Sequence, residues 1–274
     1  MSEKSMYLKI RGIQYHLKIW GSGEPLWLLH GFTGSSNTWD ILASSISQYR
    51  TIVAIDLLGH GKTDSPDSPQ RYTMSEQIED LDEIRRQLSF DSIELLGYSM
   101  GGRVALSYSI LKKQQVKKLI LESSSPGLKT EAERVVRQKH DLNLSLKIKN
   151  EGLESFVAYW ENIPLFATQK SLPDSVKERI REERLFQNPI GLANSLIGFG
   201  TGSQPSLWKR LNEAVIPTLL ITGHEDQKFL LIAKQMEKLM PQAKHVNVFN
   251  AGHAIHVELP QKFGKIVKEF VLHT

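Results

Sequence analysis

The chain has no cysteine among its 274 residues. That absence excludes disulfides, thiolate metal ligands and a cysteine nucleophile, and it agrees with a reducing compartment. Long apolar runs are missing too. No stretch approaches the ~20 consecutive apolar residues that span a bilayer, so membrane insertion is not expected. Residues 1–11 are polar and charged, without the basic-then-apolar layout of a secretion signal, and a cytoplasmic location is the expectation. Charge of one sign is also scarce: 34 Lys and Arg against 30 Asp and Glu leave a net charge of +4. The basic residues alternate with acidic ones through most helical stretches, which is the pattern of a solvated surface, and nucleic acid is not an expected partner. The small basic run Lys112, Lys113, Lys117 and Lys118 reads as an exposed edge. There is no internal repeat and no low-complexity segment. Acid–base chemistry must therefore come from histidine and carboxylates.

What is present is an alternation of apolar strand-like runs and amphipathic helices. Strands are predicted over 14–19, 26–30, 51–55, 93–96 and 116–122, with helices near Trp39 and over 75–88 and 103–111. This alternation predicts a mostly parallel central sheet covered by helices on both faces. From about Pro126 to Leu211 no strand is visible, and helical segments carry Trp160, Phe166, Leu185 and Trp208 between Pro and Gly breaks. The pattern then resumes with strands over 217–222 and 245–249 and helices over 229–239 and 261–272. The expected organisation is an α/β core formed by residues 1–125 and 212–274, interrupted by a helical cap over 126–211.

The most informative segment is Gly97-Tyr98-Ser99-Met100-Gly101, which closes one strand and opens a helix. Glycines at its ends leave room for a serine on a sharp strand-to-helix turn, so that its Oγ stands clear above the sheet. The Met100 N–H then lies at a helix start, where it can donate to a developing negative charge. Asp226 follows a later strand in Gly223-His224-Glu225-Asp226, and His253 follows the next in Gly252-His253. Strand ends on one edge of a parallel sheet converge, so Ser99, His253 and Asp226 form a candidate triad of nucleophile or base, proton carrier and orienting acid. Asp226 would serve equally as a helix N-cap, with Glu225 as the rival acid. His256 rivals His253, but it lies further into a helical segment, where a loop-tying role suits it better. The pair His253 and His256 carries no third ligand, and no metal is expected. His30-Gly31-Phe32 closes an early strand and offers the Phe32 N–H as a second oxyanion donor beside that of Met100. His30, Asp56 and Gly59-His60-Gly61 are expected to shape loops.

The order Ser, Asp, His along the chain is that of the α/β-hydrolase fold. Beyond this machinery, "GYSMGGRVAL", "LESSSPGL", Trp160 followed by Pro164-Leu165-Phe166, "RLFQNP" around Arg184, and "GHAIHVELP" together resemble the 2-succinyl-6-hydroxy-2,4-cyclohexadiene-1-carboxylate synthases of menaquinone biosynthesis. The resemblance spans nearly the whole chain. It implies the triad Ser99, Asp226 and His253, oxyanion donors at Phe32 and Met100, and a substrate pocket using Tyr98, Arg103, Trp160, Phe166 and Arg184. It also implies a cap arginine after "SPGL", for which Arg134 and Arg137 both qualify and Arg137 is preferred. Glu161 stands beside Trp160 where an aromatic residue is expected.

The implied reaction is a lyase step without a cofactor. A cyclohexene bearing a succinyl ketone, a ring carboxylate and an enolpyruvyl ether loses pyruvate and becomes a cyclohexadiene. The implied partner is thus a small anionic polycarboxylate, which arginine forks would hold in two-point contact. Two other readings use the same residues: a serine hydrolase cleaving an ester or carbon–carbon bond, and a non-catalytic binding module on the same fold.

Overall fold

The computed structural model describes residues 3–273; Met1, Ser2 and Thr274, the first two part of the polar amino-terminal stretch, lie outside it. Eight strands form one sheet: β1 (Lys4–Ile10), β2 (Ile13–Trp20), β3 (Pro25–Leu29), β4 (Thr51–Ile55), β5 (Ile93–Tyr98), β6 (Val116–Glu122), β7 (Thr218–Gly223) and β8 (Ala243–Val248). Their order is β1-β2-β4-β3-β5-β6-β7-β8. The hairpin β1–β2 and the β2–β4 pair are antiparallel, and every pair from β4 to β8 is parallel. The expected mostly parallel sheet is therefore present, with one strand the sequence reading left out. Strand β1 has an exposed polar face and a partly buried apolar one, so it carries none of the continuous apolar signal of the inner strands.

Helices α1 (Asp40–Ile46), α2 (Met74–Gln87), α3 (Met100–Leu111), α7 (Gln227–Leu239), α8 (Ile255–Glu258) and α9 (Pro260–His273) accompany the strands. Period-two alternation sends β3 side chains to opposite sides. Trp27 and Leu29 join a core with α2 and α3, while Leu26 and Leu28 join a second core with α1 and α9. Each fully buried aliphatic side chain contributes about 1.5–3 kcal/mol, which is why strands buried on both faces anchor the domain.

Between β6 and β7 the chain forms α4 (Glu131–Trp160), α5 (Asp174–Leu185) and α6 (Pro189–Phe199), plus a 3-10 stretch over Pro164–Ser171, and no strand. A Thr130–Glu133 capping box starts α4, and Gly152, at φ 84°, breaks its helical path. Leu144, Ile148, Phe156 and Val157 of α4 pack with Leu192, Ala193 and Leu196 of α6 into a separate apolar cluster, against which Phe32 and Trp160 also lie. Phe32, after β3, packs against this helical layer, and its Phe166 lies 6.2 Å from His253, which follows β8.

Candidate active site

Ser99 sits where β5 turns into α3, with φ 50° and ψ −104°. A side chain in that region is strained, and the surroundings hold it there. Its N–H donates to the Glu122 carbonyl at 2.8 Å, and its own carbonyl accepts from the Arg103 N–H at 3.1 Å. A Cβ on Gly97 would lie 2.4 Å from the Gly101 carbonyl oxygen, and one on Gly101 would lie 2.2 Å from that of Leu29. Both glycines are thus required by close backbone approach.

The His253 Nε2 lies 3.0 Å from the Ser99 Oγ, and its Nδ1 lies 2.6 Å from the Asp226 Oδ2. An ionised carboxylate only accepts, so the imidazole Nδ1–H donates to Asp226 and Nε2 is left to accept from the serine hydroxyl. The other oxygen of Asp226 accepts the Phe229 N–H at 3.3 Å. One carboxylate therefore caps α7 and orients the histidine. Glu225 is exposed and makes no bond to His253. His256 turns instead to Glu122, whose two oxygens meet its Nδ1 at 2.9 and 2.8 Å, a buried tie between the start of α8 and the end of β6.

Phe32 and Met100 both line the cavity at Ser99. Among the described residues neither amide donates to another group. The loop carrying Phe32 is shaped as expected by buried histidines. The His30 Nε2 accepts the Leu57 N–H at 3.0 Å, and His60 packs against His30 and Phe32. Burial holds both below the ordinary imidazole value, His60 down to about 3 with help from His30, so neither is charged at neutral pH. Asp56 accepts the N–H groups of Ser36 and Lys62 and meets the His16 Nδ1 at 2.7 Å. Ser5 reaches the His16 Nε2 at 2.8 Å, which makes a second Ser–His–Asp relay. Ser5 is exposed on the edge strand, away from any helix start, and this relay ties β1 and β2 to the Asp56 loop.

Two cavities meet at Phe32. The smaller, 160 Å³, holds Ser99, His253, Met100 and Trp160, and three cations border it: Arg103, Arg137 and Lys228. No Asp or Glu among the described residues lines it. Arg103 is buried, and only its Nη1 meets protein acceptors, the Phe199 carbonyl at 2.8 Å and the Gln204 Oε1 at 3.0 Å. Burial, reinforced by the charge of Arg137 and opposed by Asp141, pulls its guanidinium down to about 10, still charged at neutral pH. Arg137 is steadied by Asp141 at 2.7 Å, whereas Arg134 pairs with Glu131 and does not reach the cavity. The Trp160 Nε1 is buried without an acceptor. Lys228 was not anticipated from sequence; its position in the first turn of α7, two residues beyond Asp226, is the signal that could have found it.

The larger cavity, 510 Å³, holds Tyr98, Phe166 and Arg184 together with Arg179, Glu183 and His256. Tyr98, Phe166 and Arg184 line this cavity, while the Tyr98 and Phe166 rings lie 5.4 and 6.2 Å from that of His253. Arg184 is buried, makes no ion pair, and is held below the ordinary guanidinium value by burial. Glu161 pairs with Arg181 at 2.6 Å. The four lysines of the basic run each meet a carboxylate: Glu79, Glu213, Glu24 and Glu94. No helix among the described residues is long and apolar enough to cross a membrane, and no group of three or more metal-ligating side chains occurs among them.

Residues 24–260 match the alpha/beta hydrolase fold family. A Bacillus subtilis (strain 168) protein, provisionally named 2-succinyl-6-hydroxy-2,4-cyclohexadiene-1-carboxylate synthase, is 48% identical over 95% of this chain and 95% of its own. The synthase of that name from Citrobacter koseri is 32% identical over 87% of this chain and 90% of its own. The solved structure of MenH from S. aureus superposes with a TM-score of 0.90 at 37% identity, covering 94% of this chain and 97% of that one.

Proposed function

Because the chain belongs to the alpha/beta hydrolase fold family and, within it, to the 2-succinyl-6-hydroxy-2,4-cyclohexadiene-1-carboxylate synthases, we propose that it eliminates pyruvate from 2-succinyl-5-enolpyruvyl-6-hydroxy-3-cyclohexene-1-carboxylate in menaquinone biosynthesis. The observation that carries this reading is the charge of the Ser99 cavity. Three cations and no carboxylate among the described residues border it, and the deepest of them, Arg103, has no anionic partner among those residues. Arg137 already has Asp141, but a neutral ester would leave Arg103 and Lys228 without an anion, whereas a polycarboxylate supplies one to each.

In the mechanism the Ser99 hydroxyl proton passes to the His253 Nε2, and Asp226 stabilises the imidazolium. The serine oxygen then takes the ring proton from the carbon that bears the succinyl ketone, an acidic position because its loss gives an enolate. The Phe32 and Met100 N–H groups receive the enolate oxygen. Electrons move through the ring alkene, the bond to the enolpyruvyl oxygen breaks, and the enolate of pyruvate departs; it takes the proton held on the His253 imidazolium, which gives pyruvate and restores neutral His253. Water is not a reactant. Arg103, Arg137 and Lys228 hold carboxylates beside the reacting ring. Tyr98, Phe166 and Arg184 would bind a part of the substrate that extends past Phe32, and residues 126–211 serve as the cap over both cavities.

The test is incubation of the purified protein with the enolpyruvyl cyclohexene. Pyruvate and diene absorbance should rise in equal amounts, and substrate that stays intact would refute the assignment.

A further inference from the structure

The carboxylate of Glu183 lies one residue before Arg184 in α5, yet it reaches down to the loop that follows β3. Its Oε1 accepts the Ser35 Oγ–H at 2.6 Å and the Thr38 Oγ1–H at 2.9 Å. Those two hydroxyls are already engaged in the capping box of the Ser36–Trp39 turn. The Ser35 Oγ accepts the Asn37 N–H at 3.2 Å, and the Thr38 Oγ1 accepts the Ser35 N–H at 3.4 Å. Each hydroxyl therefore accepts from the loop and donates to the cap, and one oxygen of Glu183 sets the direction of both. The opposite side of the loop is held from the core, where the Ser36 N–H donates to the Asp56 Oδ1 at 2.5 Å. Two residues before the first of these anchors Thr33 adopts φ 67°, a conformation that costs a β-branched residue free energy. A loop held in such a conformation relaxes when one anchor is released. Phe32 is the residue immediately before Thr33.

We propose that Glu183 is a positioning residue that couples the seating of the cap to the oxyanion loop, so that the Phe32 N–H is correctly aimed only while α5 is docked. This rests on the reading above that the Phe32 and Met100 amides receive the anionic oxygen. A second tie, from just beyond the same helix, supports it: the Gln187 Oε1 accepts the Gly61 N–H at 2.9 Å, and the Gln187 Nε2 donates to the Glu183 carbonyl at 3.0 Å. The end of α5 and the residues that follow it are thus stitched to two core loops, and Arg184 is carried between the stitches. Substrate drawn in by Arg184 would seat α5 and align the oxyanion donor in one movement, a gating step of the kind lids perform.

The test uses a neutral fluorophosphonate, whose reaction with Ser99 needs the triad and the oxyanion donors but none of the carboxylate-binding arginines. The Ser99 oxygen bonds to phosphorus, fluoride leaves, and the hydroxyl proton passes to His253. Labelling rates would be measured by mass spectrometry for wild type, Glu183→Ala, Glu183→Gln and Glu178→Ala, the last an exposed glutamate of the same helix. Glu183→Ala should label about ten-fold more slowly or worse, because a displaced donor stabilises the transition state less. Glu183→Gln keeps an acceptor for both hydroxyls and should remain within about two-fold of wild type, as should Glu178→Ala. If Glu183→Ala does not fold, Thr38→Val, which removes one of the two donors from the loop side, should slow labelling in the same direction. Wild-type labelling by folded Glu183→Ala or Thr38→Val overturns the proposal, and so does an equal slowing in Glu183→Ala and Glu183→Gln. Labelling is independent of elimination, so a protein that fails to release pyruvate but shows this pattern would refute the lyase assignment and leave the coupling standing.

Discussion

The guanidinium of Arg184 rests 4.8 Å from the ring centre of Phe166. The same ring lies 5.9 Å from Trp160 and 6.2 Å from His253, so Phe166 stands between the cation of the larger cavity and the base of the smaller one. A cation over an aromatic face is worth about 0.5–2 kcal/mol, more when desolvated, and it fixes the direction of a guanidinium that has no carboxylate to do so. Phe166→Ala should therefore raise KM for the tricarboxylate roughly ten-fold. It should also lower stability by about 3 kcal/mol, from the space left by a buried ring. Steady-state kinetics with a urea melt would check both, and an unchanged KM would show that Arg184 takes no part in binding.

Ser99→Ala should fold and lose turnover by about a thousand-fold or more, since the proton acceptor is gone while the core is untouched. The backbone at φ 50° adds a second expectation. Ser99→Gly should melt higher than Ser99→Ala, by about 1 kcal/mol, because only glycine adopts that conformation freely. Equal stabilities would mean that the turn is not strained.

Arg103→Ala should cut kcat/KM for the tricarboxylate by about a hundred-fold, the worth of a desolvated charge-assisted contact. Arg103→Lys should recover little of it, since a point charge cannot reproduce a fork whose Nη1 is already held by Phe199 and Gln204. Slow hydrolysis of a neutral aryl ester supplies the control. If both substrates lose equally, Arg103 is a structural residue.

Burial raises the Glu183 carboxyl above the usual glutamate value, against the hydroxyls of Ser35 and Thr38, which lower it. The folded chain thus binds this proton more tightly than the unfolded one. The associated stability is complete below the ordinary glutamate value and is lost as pH rises through the folded value. Glu183→Gln removes this dependence. Relative to wild type the variant should gain stability as pH rises above the ordinary glutamate value of about 4, with the difference growing until the folded carboxyl has ionised and then levelling. Thermal melts at several pH values would reveal it, and a constant or shrinking difference would contradict a raised value.

Most of the sheet was legible because its inner strands are buried on both faces. Strands β4 and β6 occupy the ranges that their apolar runs predict, whereas β1, with its exposed polar face, carries no such run. The hydrogen-bonded set Ser99, His253 and Asp226 was legible because each member follows the carboxyl end of a strand, and such ends converge by topology. Two choices needed coordinates. Arg134 and Arg137 differ by one turn of α4, and only the pairing of Arg137 with a buried Asp141 turns it toward Ser99. Glu183 lies in Arg181-Glu182-Glu183-Arg184, which reads as a solvated charged face. Its partners Ser35 and Thr38 are almost 150 residues away, and no local pattern announces such a contact. Arg184 was expected in the substrate pocket, and which of the two cavities it lines is set by packing rather than by any local pattern.

Elimination and hydrolysis differ in what Ser99 does with its oxygen, since a base borrows a proton whereas a nucleophile forms a bond to carbon. The 3.0 Å contact between Ser99 and His253 serves either chemistry. Protein quenched during turnover of the enolpyruvyl cyclohexene should show only the unmodified mass. Deuterium on the ring carbon that bears the succinyl group should slow single-turnover formation of the diene about two-fold or more, because that C–H bond breaks in the step Ser99 assists. An adduct on Ser99 that forms and decays at the turnover rate, with no isotope effect, would make the serine a nucleophile and return the chain to hydrolytic chemistry.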